Sequence, residues 1–129
     1  MFKRMMLCAF LSFILVGCQP IDLGNFDATE VCKAGIATTM NKNPSIVKFD
    51  GSNGDIHEFY YYRKSGGPRW EFRCRLKRDR IVWATPTGPW RDRSSDPVLE
   101  FAIEGNRISV AEIFSDGSSR SEIYTKSQL

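Results

Sequence analysis

The sequence predicts an α+β domain, with one N-terminal helix packed on an antiparallel meander of about seven short strands. Three observations carry this. Only the segment at residues 28–40 shows the helical apolar period. From Ser45 to Thr125 the period falls to two, in seven runs broken by Gly, Asn, Asp, Pro and Ser. Each connection between runs is too short for a crossover, so neighbouring strands must be antiparallel. The strand count leaves open a curl of the sheet toward a partial barrel.

The chain opens MFKRMMLCAFLSFILVGCQP. Lys3 and Arg4 precede an apolar run, Met5 to Val16, that is too short for a bilayer core of ~30 Å. It has the form of a secretory signal, residues 1–17. Its end, Leu15-Val16-Gly17-Cys18, resembles the lipobox of bacterial lipoproteins. The resemblance covers residues 1–18 only. It implies that Cys18 is the lipid attachment residue, freed by cleavage after Gly17 and carrying acyl chains. Several acyl chains on one residue would anchor the protein firmly, because one alone holds weakly. In the enterobacterial sorting rule Asp after the cysteine retains a lipoprotein in the inner membrane. Gln19 stands here, so the resemblance implies the outer membrane, on its periplasmic side.

Without the signal, 112 residues remain, Cys18 to Leu129, which suits one domain. They carry 16 basic and 15 acidic side chains, so the whole-chain charge of +3 overstates how basic this part is. Residues 18–26 read as a lipid-anchored tether and 27–129 as a single globular domain. Two cysteines remain once Cys8 and Cys18 are set aside. In an exported protein Cys32 and Cys74 are expected to form a disulfide. Free thiols or a redox pair are the alternatives, but the chain has no C-x-x-C spacing.

Asp27 is a good helix N-cap, with Glu30 three residues on and Phe26 and Val31 placed as a hydrophobic staple. Ala28, Val31, Cys32, Gly35, Ile36 and Met40 form one helical face, and Asn41, Asn43 and Pro44 end it. The expected strands are Ser45–Asp50, Ile56–Arg63, Arg69–Leu76, Arg80–Thr85, Val98–Ile103, Arg107–Phe114 and Ser119–Thr125. Gly51–Gly54, Lys64–Pro68, Lys77–Asp79, Glu104–Asn106 and Ser115–Ser118 turn the chain. In the third strand Trp70, Phe72, Cys74 and Leu76 are expected to face the core, with Arg69, Glu71, Arg73 and Arg75 outward. Cys32 and Cys74 then pin helix to sheet.

Catalysis finds little support. His57 is the sole histidine, and no Gly-x-Ser-x-Gly or glycine-rich phosphate loop is present. No metal site or cofactor is expected, because one histidine, two paired cysteines and scattered acids do not converge. The protein is therefore expected not to be an enzyme.

Charge is the sharper signal. Between Arg63 and Arg93 ten basic residues face three acids, while the rest of the mature chain holds six against twelve. Such asymmetry can steer an anionic partner. Alternatively, the basic strands pair with the acidic C-terminal ones, which carry Glu100, Glu104, Glu112 and Glu122. The candidate binding surface is Arg69, Arg73, Arg75, Trp90, Arg91 and Arg93. Trp90, in the loop Pro86–Pro97, has the composition of an interface anchor or folds back as a cap. Arginines among aromatics suit nucleic acid, but a lipidated envelope protein is not expected to meet it. The function expected is a non-enzymatic binding module for an envelope component or protein partner, anchored to the membrane by its lipid. Two alternatives are an inhibitor of an exogenous hydrolase such as lysozyme, on class analogy, and a structural subunit of an envelope or secretion assembly.

Overall fold

The computed structural model describes residues 21–129. The signal segment, the lipobox, Cys18 and Gln19 lie outside the described residues. Helix α1 spans Ala28–Met40. Asp27 caps it as expected: its carboxylate accepts from the Glu30 amide at 2.8 Å, and Glu30 reaches back to the Asp27 amide at 3.0 Å. Burial pushes the Asp27 carboxyl upward. Hydrogen bonds from Thr29 and the Glu30 amide, with the Lys126 charge, outweigh that and hold it below its ordinary value. Asn41 ends the helix in the left-handed region, φ 53°, where Asn is tolerated.

The strands are β1 Lys48–Asn53, β2 Ile56–Tyr62, β3 Arg69–Lys77, β4 Arg80–Ala84, β5 Val98–Glu104, β6 Arg107–Ile113 and β7 Ser119–Thr125. They form one sheet in sequence order, and every neighbouring pair is antiparallel. The fold is α+β. The sheet is not closed, since β1 and β7 are its two edges.

Three expectations are corrected here. The first strand starts at Lys48, not Ser45, because Pro44–Ile46 forms a 3-10 turn whose Asn43 side chain caps the Ser45 amide. Residues 51–53 belong to the strand instead of to a turn. The register slips between Phe49 and Gly51, so Asp50 is a bulge residue, and Gly51 supplies the φ of 114° next to it. Trp70, expected in the core, is 39% exposed. It lies on the inner face, but near the end of the helix, where cover runs out.

Cys32 and Cys74 are bonded and fully buried. The core gathers Val31, Ile36, Phe59, Phe72, Ile81, Leu99, Ile108 and Val110 between helix and sheet. Ala34, Ala37 and Thr38 are buried as well, so the buried stripe of α1 is wider than the apolar period predicts. The helix touches all seven strands, which explains this width. Its closest approach is at Gly35: a Cβ there would lie 2.6 Å from Ile81 Cγ2. Val82 and Ala84 are also buried, yet they point to the opposite face of the sheet.

A polar group fastens the C-terminal turn of the helix. Glu112, 4% exposed, accepts from Thr39 Oγ1 at 2.6 Å and from Arg120 Nε at 2.8 Å. Arg120 also donates to the Thr38 carbonyl, and the Thr38 and Tyr124 hydroxyls are 3.0 Å apart. A cation on a C-terminal carbonyl suits the helix dipole. The tether expected at 18–26 is packed where it is described: Phe26 is buried, and Ile21 and Leu23 rest on the core.

Candidate functional site

Strand alternation places Arg69, Arg73 and Arg75 on the outer face of β3, as expected, and Lys77, expected in the turn, joins them as the last residue of the strand. Their partners are mostly not the acidic C-terminal strands. Arg69 pairs with Asp50 at the β1 bulge and with Glu71, Nε to Oε1 3.1 Å, and its guanidinium lies 3.7 Å from the Tyr60 ring centroid. Partial burial pulls the Arg69 pKa down, but the two carboxylates outweigh it and raise it.

Arg73 and Arg75 lie over the ring of Trp90, at 4.4 and 4.3 Å. Trp90 thus folds back, though onto the outer face instead of the main core. Arg73 also donates to the Thr85 and Gly88 carbonyls, at 3.2 and 2.6 Å. It straps the Pro86–Pro97 loop down over the outer face. The register partners of Arg73 and Arg75 are Ala84 and Val82, so this strap lies over two apolar residues of β4. Four of the six candidate surface residues are therefore engaged within the domain: Arg69, Arg73, Arg75 and Trp90.

Arg91 and Arg93 lie farther along the same loop. The Arg91 amide donates to the Trp83 carbonyl at 2.9 Å, and its guanidinium stands 5.3 Å from the Trp83 ring. It reaches Asp96 only at 3.9 Å. The Arg93 amide is held by Asp96 at 3.0 Å. Among the described residues the Arg93 side chain makes no ion pair within 4 Å.

The structure instead gathers a site on the inner face, at the end of α1. A cleft of about 420 Å³ is lined by Met40, Trp70, Phe72, Trp83, Thr85 and Arg91, together with Arg69, Glu71 and Pro86. Three rings line it, Trp70, Phe72 and Trp83, and Tyr61, outside the lining, contacts two of them. Tyr61 stacks on Phe72 and on Trp70, with centroids 5.5 and 6.4 Å apart, and Phe72 meets Trp83 edge-on at 5.8 Å. Arg63 lies 4.3 Å from the Trp70 ring centroid. A concave lining that combines aromatic and other apolar side chains with a few charged and polar groups is the usual make-up of a ligand site. Two of the predicted surface residues, Arg69 and Arg91, belong to it. Trp70 and Trp83 were not anticipated, because alternation assigns Trp70 to the core. The short end of the helix, signalled by Asn41 and Asn43, was the clue that this part of the sheet goes uncovered.

His57 sits on the same face as Phe59 and Tyr61, as alternation predicts, and its Nδ1 is 2.6 Å from Ser52 Oγ. Ser52 is its register partner on β1. Among the described residues no three His, Cys, Asp or Glu side chains are grouped to hold a metal ion, and no helix is long and apolar enough to cross a membrane. Compared with protein-family models, curated proteins and solved structures, the chain gives no match.

Proposed function

We propose that the protein is a lipid-anchored, periplasm-facing binding module that engages an envelope component or protein partner through the aromatic cleft. One observation carries this reading: the cleft lies at the end of the domain opposite the packed N-terminal segment Ile21–Phe26. Ile21–Phe26 packs beside the β5–β6 turn, with Asn25 bonded to Asn106 at 3.2 Å. The cleft is formed where α1 ends, β3 begins and β4 ends. Antiparallel register puts those points at the opposite strand ends of the sheet from the β3–β4 and β5–β6 turns. Lipidated at Cys18, the domain would hold its cleft away from the membrane surface. The wide buried stripe of α1 supports a sheet curled around the helix toward a partial barrel, which would stiffen the cleft.

The test is a photo-crosslinking residue at Trp70 in the full-length, membrane-bound protein. The expected result is a discrete adduct that is lost with Trp83→Ala and Arg91→Ala. An equal adduct from Ile123, 65% exposed on the far edge strand, would show mere proximity and sink the reading. In parallel, Cys18→Ala is expected to release the domain from the membrane fraction.

A further inference from the structure

We propose that the β3–β4 hairpin carries a second binding site, for a phosphate-class anion, centred on Lys77, Arg78 and Arg80. It is separate from the aromatic cleft, and only a headgroup as the source of the phosphate would rest on the lipid anchor.

Four observations point there. First, Lys77 and Arg80 are direct cross-strand partners. Two like charges facing each other disfavour the pairing that the hairpin needs. Second, Arg78 adopts φ 58° at the first central position of a two-residue turn, and Asp79 does not share the positive φ. Hairpin turns with that pattern favour glycine at this place, and a long cationic side chain is costly there. Local rules broken together tend to mark function. Third, the cations lack close partners. Among the described residues, Arg78 and Arg80 make no ion pair, and Lys77 reaches Asp92 only at 3.9 Å. Glu100 faces Arg80 in register without closing a pair, and the backbone carbonyl of Asp79 is engaged by the Phe101 amide at 2.9 Å. Fourth, there is room. A depression of about 430 Å³ is lined by Lys77, Arg78, Asp79, Arg80, Val82 and Asp92. It adjoins a second one that shares Arg80, Val82 and Asp92 and adds Arg93. Carboxylates at Asp79, Asp92 and Glu100 keep the area from being a broad positive field. This favours a compact, multiply charged anion held by guanidinium forks over diffuse attraction.

The hairpin turn lies at the same end of the sheet as the packed N-terminal segment. A phosphate could therefore come from a lipid headgroup or from solution. The full-length protein in nanodiscs of zwitterionic lipid is titrated with inorganic phosphate, and the amides of Lys77–Arg80 are followed by NMR. Saturable shifts are expected that equal ionic strength of chloride does not reproduce. Lys77→Gln with Arg80→Gln is expected to weaken the fitted affinity by roughly tenfold or more. Arg78→Gly is the decisive variant. It is expected to raise the thermal midpoint, because glycine suits the positive φ, while phosphate affinity falls. The same shifts in anionic nanodiscs without added phosphate would assign the source to headgroups; their appearance only with free phosphate would assign it to solution. Shifts matched by chloride, or an affinity unchanged in the double glutamine variant, would overturn the proposal.

Discussion

Replacing Cys32 and Cys74 together by alanine tests the main cross-link of the domain. The bond joins positions 42 residues apart. By the chain-entropy account, such a loop restricts the unfolded chain by about 4 kcal/mol at 25 °C. Both residues are 0% exposed, so truncation also leaves small cavities, about 1 kcal/mol or less each. The sum, roughly 4–6 kcal/mol, is a large part of the 5–15 kcal/mol typical of a domain. With a urea slope of about 1–2 kcal/mol per molar, the midpoint should fall by about 2–6 M. The assay is urea unfolding of oxidised wild type, reduced wild type and the double variant. Reduced wild type should unfold close to the variant, separated only by the cavity contribution. Midpoints of oxidised wild type and variant within about 0.5 M of each other would refute the entropic reasoning. A variant that drops while reduced wild type does not would assign the effect to packing instead of to the cross-link.

Three further outcomes are expected. Gly35→Ala gains helix propensity, yet its Cβ would meet three Ile81 atoms at 2.6–3.2 Å, so a net loss of about 1–2 kcal/mol is expected in thermal or urea unfolding; equal or greater stability would show that Ile81 yields freely. Asp27→Ala should cost about 1 kcal/mol at neutral pH through the lost cap. The Asp27 carboxyl is held below its ordinary value of 3.8, so its stabilisation is present above that value and lost as pH falls through the lower folded pKa. The gap between wild type and variant should therefore close only below about pH 3.8, and a gap persisting in stronger acid would contradict the linkage. Trp90→Ala removes the ring beneath Arg73 and Arg75, and the Pro86–Pro97 loop should become a preferred site of limited proteolysis; an unchanged cleavage pattern would mean that the two Arg73 hydrogen bonds suffice to hold it.

Much of the fold was legible because its signals are local. The capping box at Asp27 and Glu30, the change of period after Pro44 and most of the short turn segments need only neighbours in sequence, and each of these was placed, Gly51–Gly54 excepted. The first strand was misjudged for a local reason as well. Asn43-Pro44-Ser45 makes its own capped turn, and the Asp50 bulge disguises the alternation. The candidate surface was less legible. Alternation correctly sent Arg69, Arg73 and Arg75 outward, but facing outward is not the same as being free. Asp50 reaches Arg69 only through the bulge, and Trp90 reaches Arg73 and Arg75 only because a twelve-residue loop folds back. Neither contact follows from a period.

The sequence by itself determined the α+β class, the strand order, the pairing of Cys32 with Cys74 and the concentration of positive charge at residues 63–93. These rest on periodicity, turn chemistry and cysteine arithmetic, which act over a few residues or depend on a count. Only the tertiary structure decided which of those charges are occupied and which aromatics stay uncovered. A thirteen-residue helix covers only part of the inner face, so Trp70 and Trp83 border a cleft at its end. The Trp90 strap covers only part of the outer face, so Lys77, Arg78 and Arg80 remain beyond it. Where cover ends depends on the helix's reach across the sheet and the loop's return path, which are properties of the packed whole.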